Sequence, residues 1–210
     1  MANLFLASSF TDVPECFEQF NHSISYPKTV SFIPTASKTE KVDFYVEAAK
    51  YLLQKMGFVI DELDIATASY DEIKHKLETN DFIYVTGGNT FYLLQALKES
   101  GADAIITQQI HAGKPYIGES AGSIVLANDI SYINEMDDKA AAPTLANTQG
   151  LGIIEVYPLP HYRSTPFSEQ VETILLDYQL KLDLVPITNT QVIVIKGEYI
   201  QVLTEKSAND

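Results

Sequence analysis

Two glycines bracket a serine in Gly118-Glu119-Ser120-Ala121-Gly122, the G-x-S-x-G spacing of a nucleophile elbow. A serine hydroxyl attacks a carbonyl only when a base lies within hydrogen-bond reach, so this motif asks for a partner elsewhere in the chain. Pro115–Gly118 reads as a strand and Gly122–Ala127 as a helix, the context in which the turn lifts the hydroxyl above a sheet. The amide of Ala121 then faces the charge that develops on a substrate oxygen, beside the positive end of the helix. A simpler role for the two glycines is a tight strand-to-helix turn with no chemistry attached.

Four histidines are candidates for the base. His22 falls in an early loop, His75 lies between Lys74 and Lys76 on a polar helix face, and His111 ends a helix, where a cation complements the dipole. His161 follows the apolar run Ile153–Leu159 and Pro160, at the carboxyl end of an expected strand. That edge holds the sites of open α/β sheets, and Ser120 stands on the same edge. A second oxyanion donor is expected at Gly87-Gly88-Asn89, where glycine lets backbone amides turn toward a bound carbonyl; Asn89 also suits a helix N-cap.

The elements that must position these groups alternate short β-rich runs with amphipathic helices, the pattern of a mostly parallel sheet covered on both faces. Strands are expected at Asn3–Ala7, Thr29–Ile33, Phe58–Leu63, Phe82–Val85, Pro115–Gly118, Ile153–Leu159 and Leu184–Ile187. A C-terminal β-hairpin of Gln191–Ile195 and Tyr199–Leu203 turns at Lys196-Gly197. A helix is expected from Ser37, whose spacing to Glu40 fits a capping box, to Gly57 at the C′ position. Others cover Asp71–Leu77 and Thr90–Lys98, and one opens at Thr165, Pro166 and Glu169. Ser131–Ala146 is the least regular stretch and the expected specificity loop.

The 210 residues suit a single domain over 1–210. A formal charge of −14 without a basic run excludes nucleic acid and anionic membrane as partners. The one cysteine, Cys16, allows no internal disulfide and no thiolate cluster. The first residues lack a basic n-region, and no apolar run reaches the roughly 18 residues of a membrane helix. A soluble, cytoplasmic chain is expected, with no metal and no cofactor, as a monomer or homodimer.

With Val85-Thr-Gly-Gly-Asn-Thr90, Leu93-Leu94, Gly118-Glu-Ser-Ala-Gly122 and Pro160-His-Tyr162 in this order, the chain resembles the peptidase E family of aspartyl dipeptidases and cyanophycinases. The resemblance implies a class I glutamine amidotransferase-like (flavodoxin-like) three-layer sandwich. It further implies a serine peptidase acting on a small peptide, with Ser120 as nucleophile, His161 as base, and the amides of Gly88 and Ala121 as oxyanion hole. In the family an acidic residue near the C-terminal strand orients the histidine; here the corresponding stretch offers Asn189. Glu135, in a segment resembling an Asn-Asp-Met motif of the dipeptidases, is the alternative. Arg163 is the only arginine near the histidine to meet an aspartyl substrate, and the family's Gly- and Arg-rich stretch is missing. Glu119 faces either the substrate's amino group or solvent. The competing readings are a glutamine amidotransferase-like protein, which needs a cysteine where Ser120 stands, and a binding module on the same fold with a decayed triad.

Overall fold

Successive side chains of a strand point to opposite faces, so runs such as Leu4-Phe5-Leu6-Ala7 can feed two cores at once. A computed structural model describes residues 2–21 and 28–206; the early-loop His22 lies outside them. In chain order the elements are β1 (Asn3–Ala7), α1 (Pro14–Phe20), β2 (Lys28–Ile33), α2 (Phe44–Lys55), β3 (Phe58–Glu62), α3 (Tyr70–Thr79), β4 (Phe82–Val85) and α4 (Thr90–Ser100). They continue as α5 (Ala102–His111), β5 (Tyr116–Glu119), α6 (Ala121–Ile124), β6 (Tyr157–Leu159), α7 (Ser168–Tyr178), β7 (Leu184–Pro186), β8 (Gln191–Lys196) and β9 (Tyr199–Thr204). Short 3-10 turns occupy Phe10–Asp12, Thr35–Thr39, Ser131–Ile133 and Lys139–Ala141.

Among the described residues seven strands form the main sheet, in the order β3-β2-β4-β5-β1-β8-β9. The first five run parallel, and β8 and β9 close the far side antiparallel as the expected hairpin. Leu4, Leu6, Ile83, Val85 and Ile193 pack on one face with α3 to α7. Phe5, Ala7, Phe82, Tyr84 and Val194 pack on the other with α1 and α2. The result is the expected three-layer sandwich, a mostly parallel sheet with helices on both faces and a C-terminal hairpin. Among the described residues no helix is long and apolar enough to cross a membrane.

Four local expectations are corrected. The helix expected from Ser37 begins at Phe44, because Ser37 Oγ donates to the Pro34 carbonyl at 2.8 Å inside a 3-10 turn and caps nothing. The strand expected over Ile153–Leu159 is regular only from Tyr157, and it pairs with β7 in a separate two-stranded parallel sheet. Upstream, the amides of Leu151 and Ile153 go to the carbonyls of Val125 and Leu126, both at 2.9 Å, so that backbone is spent on the elbow's exit rather than on the main sheet. Helix α6 covers only Ala121–Ile124, where a helix to Ala127 was expected, because the Ala127 amide turns back three residues to the Ile124 carbonyl at 3.1 Å; the end carbonyls of Val125 and Leu126 then take the Leu151 and Ile153 amides. Finally, α7 opens at Ser168 with Phe167 as N-cap, so Pro166 lies before its first turn.

Candidate active site

Strand β5 runs into Ser120, whose backbone takes φ 46° and ψ −105°. A non-glycine residue there stores about 1–3 kcal/mol of strain and persists only where its surroundings hold it. Here the Ser120 amide donates to the Ala7 carbonyl at 3.0 Å. Ser123 Oγ is 2.9 Å from both the Ala7 and the Gly118 carbonyls and braces the bend from beneath. A β-carbon on Gly118 would stand 2.6 Å from the Gly122 oxygen, and one on Gly122 would stand 2.2 Å from the Val85 oxygen. The two glycines are therefore demanded by chain-to-chain approach on either side of the serine, as the motif anticipates.

His161 follows β6 with φ 61°, and its Nε2 lies 3.0 Å from Ser120 Oγ. The ring stacks on Phe167, centroid to centroid 4.9 Å, and Nδ1 lies 2.9 Å from Asn189 Oδ1. Burial pushes the imidazole below its ordinary pKa, against the hydrogen bond with Asn189, which raises it. The ring is thus neutral at pH 7. With Asn189 Oδ1 accepting the Nδ1 proton, Nε2 presents its lone pair to the serine hydroxyl.

The structure brings Asn189, and not Glu135, to the histidine. Glu135 is exposed at the end of the 3-10 turn Ser131–Ile133, so its carboxylate stays in water, away from the ring. Arg163 is also exposed; its guanidinium stacks on Tyr162, 4.9 Å from the ring centroid, and it does not line the cavity at Ser120. Glu119 faces neither solvent nor an open substrate position: it is 3% exposed and its carboxylate accepts the Phe10 amide and the Tyr84 hydroxyl, each at 2.9 Å. Desolvation raises its pKa, while these donors and the nearby Gly87 amide counter the rise. Glu119 therefore ties the ends of β1, β4 and β5 together beneath Ser120.

Gly87 and Gly88 line the cavity, with Gly87 packed near Ser120. Gly88 has φ 132°, and a β-carbon there would lie 2.2 Å from the Ala36 carbonyl. Among the described residues, the amides of Gly88 and Ala121 have no protein acceptor. Asn89 caps α4, accepting the Tyr92 amide at 2.9 Å, and donates to the Asp138 carbonyl.

Sequence reasoning passed over three contributors. Ser8, at the carboxyl end of β1 and 1% exposed, touches both His161 and Asn189; a serine just past a central strand was its only signal. Asp137 accepts the Thr90 amide at 2.7 Å, and burial pushes its carboxyl up to about 6. The chain entering α2, including Glu40, Lys41 and Phe44, forms one wall of the cavity, a role hidden by assigning it to a helix. Met136, Asp137 and Asp138 supply the opposing wall from the irregular stretch expected to confer specificity. The whole cavity measures about 800 Å³. Cys16 lies buried in α1, its thiol pushed up to about 12 chiefly by desolvation, so it offers no thiolate nucleophile. Among the described residues no group of three or more His, Cys, Asp and Glu side chains is placed to hold a metal ion.

Comparison with known proteins matches residues 4–203 to the family model described as peptidase family S51. An uncharacterized peptidase of Listeria monocytogenes is 50% identical over 206 residues, 98% of this chain and 99% of its own. A peptidase E of a Nostoc species is 31% identical over 167 residues, 76% of this chain and 65% of the relative. The crystal structure of a Listeria monocytogenes protein assigned to peptidase E superposes with a TM-score of 0.94 at 49% identity, covering 98% of this chain and all of that one.

Proposed function

The chain belongs to peptidase family S51, and from that premise we propose that it is a serine peptidase acting on short peptides, dipeptides included, with Ser120 as nucleophile and His161 as base. The observation that carries the reading is the 3.0 Å separation of Ser120 Oγ and His161 Nε2 at a strained bend over the sheet's carboxyl edge.

In this reading Ser120 Oγ attacks the carbonyl carbon of the scissile bond while Nε2 takes the hydroxyl proton. The amides of Gly88 and Ala121, which have no acceptor within the described protein, hold the oxyanion. The C–N bond then breaks as Nε2 passes its proton to the leaving amine. Water attacks the resulting ester with the same base, releasing the acid and restoring the serine. Asn189 accepts the Nδ1 proton and orients the ring. An amide neutralises no charge on the imidazolium, so turnover is low beside that of a carboxylate-supported triad.

The cavity suits a ligand of a few residues. Among the described residues Asp12, Glu40, Asp137 and Asp138 line it, with the internally bonded Glu119, against the one cation Lys41. That balance favours peptides presenting a positive charge over those led by aspartate, for which Arg163 is out of place. The proposal further takes residues 1–210 as one domain working in the cytoplasm as a monomer or homodimer.

Fluorophosphonate labelling combined with a dipeptide-library screen tests the reading. Stoichiometric modification lost in Ser120→Ala and much reduced in His161→Ala is expected, together with loss of hydrolysis. Cleavage that survives Ser120→Ala overturns it. Absence of both labelling and hydrolysis in the wild type would instead favour a binding module, the reading that Asn189 supports.

A further inference from the structure

The two edges of the main sheet are finished differently. At one, β3 carries Asp61 and Glu62, which pair with Lys76 and Lys50 at 2.9 and 2.6 Å. Charges of that kind keep an edge strand from pairing with another chain. At the other, β9 reads Tyr199-Ile-Gln-Val-Leu-Thr204, with no charge, proline or glycine, in a chain of net charge −14. Its Tyr199, Ile200 and Val202 are 62, 45 and 43% exposed. Among the described residues β9 has β8 as its one neighbour. Lys196 and Tyr199 close the two-residue turn Gly197-Glu198 as a hydrogen-bonded pair. Such pairs alternate along an antiparallel ladder, so Tyr199, Gln201 and Leu203 bond to β8, while Ile200, Val202 and Thr204 turn their amides and carbonyls outward. Just past the strand, the Glu205 carboxylate accepts the Glu15 and Cys16 amides at 2.8 and 3.0 Å and pins the edge in place.

We propose that this edge pairs with the same edge of a second copy of the chain, antiparallel about a two-fold axis at Gln201, joining the two sheets into one. In that register Ile200 of each copy exchanges both backbone bonds with Val202 of the other, and their side chains cover one another on one face. On the opposite face Tyr199 covers Leu203, and the two Gln201 amides, each both donor and acceptor, meet at the axis. A slide of two residues would set Ile200 against Thr204 in one direction and Val202 against Glu198 in the other. The exposed turn residue Glu198 of each copy comes beside the exposed Lys206 of the second copy, so the ends of the contact are complementary in charge. A second copy is the fitting occupant because the two-fold repeats each of these matches. A six-residue edge makes a small interface, so the dimer is a weak one. None of this depends on the chemistry at Ser120.

Sedimentation equilibrium of the full chain across the micromolar range is expected to show a monomer–dimer equilibrium. Val202→Lys keeps the far-ultraviolet circular dichroism of the wild type, since the side chain is exposed in the monomer, and raises the dissociation constant about tenfold or more by removing two apolar pairs and burying two charges. Disulfide trapping reads the register. Facing residues of a non-hydrogen-bonded antiparallel pair have Cα atoms about 4.5 Å apart, within the span of a disulfide. Gln201→Cys therefore yields a covalent dimer on mild oxidation, whereas Val202→Cys, which faces residue 200 of the second copy, does not. The native Cys16 is buried and does not compete. A wild type that stays monomeric throughout, a dimer unmoved by Val202→Lys, or cross-linking at Val202→Cys in place of Gln201→Cys overturns the proposal. Cleavage that survives Ser120→Ala, which overturns the peptidase reading, leaves each of these outcomes as it is.

Discussion

Asn189→Asp places a negative charge where an amide oxygen now sits 2.9 Å from His161 Nδ1. With charge centres about 4 Å apart and an effective dielectric of about 20, the attraction between carboxylate and imidazolium is about 4 kcal/mol. At 1.36 kcal/mol per pH unit that is an upper bound of about 3 units on the rise in the imidazole pKa. Bringing the new carboxylate into this buried corner offsets part of it, leaving a net rise of about 1 to 2 units. In the wild type burial holds the ring below its ordinary value, so the base is already free at neutral pH. The variant's raised pKa means that protonation sets in at higher pH as the solution is acidified. The rate of fluorophosphonate labelling at Ser120, followed from pH 4.5 to 9, therefore loses its acid-side half at a higher pH in the variant. Its alkaline plateau rises, because the imidazolium formed in the transition state is now paired. An acid limb that stays put or moves down would refute the claim that Asn189 contacts the working imidazole in solution.

Three further outcomes follow from the geometry. Ser120→Gly removes hydrolysis but raises the chemical-denaturation midpoint, releasing about 1 kcal/mol stored at φ 46°; an unchanged or lower midpoint contradicts the strain. Glu119→Gln lowers unfolding stability by about 1–3 kcal/mol in urea titration, because its NH2 either meets the Phe10 amide, which can only donate, or makes the Tyr84 hydroxyl an acceptor whose own proton loses its carboxylate partner; a neutral effect would mean the carboxylate is not engaged as described. Arg163→Ala leaves kcat/KM within about twofold for both aspartyl-led and cationic dipeptides, since the side chain stacks outside the cavity; a loss confined to aspartyl substrates would restore it as a recognition group.

Much of the architecture is legible because its signals are local. Phe82–Val85 is a short, wholly apolar run, and it forms a buried strand with those bounds. The elbow is legible in part for the same reason: Gly118 is required by the Gly122 carbonyl four residues on, whereas Gly122 is required by Val85 at the end of β4, and only the spacing of the motif announces it. What the chain hides are decisions made far away in sequence. Ser37 and Glu40 carry the letters of a capping box, but the Pro34 carbonyl claims the serine hydroxyl first. The apolar stretch Ile153–Leu159 has strand composition throughout, yet its first half is claimed by the carbonyls beyond the elbow. Glu135 looks better than Asn189 as an orienting group on charge alone, and only the meeting of residue 161 with residue 189 decides between them. Ser8 reaches His161 across 153 positions of sequence, and no local pattern marks it.

Strand β1 lies between β5 and β8, and the residues gathered at its end come from positions 8, 120, 161 and 189. During synthesis, then, the nucleophile of the proposed mechanism emerges from the ribosome long before the amide proposed to steady its base. A nascent chain carrying the serine alone has an inert alcohol on an unfinished sheet. On that mechanism reactivity arrives late, with the closing hairpin, and the growing polypeptide is spared a peptidase working beside the exit tunnel.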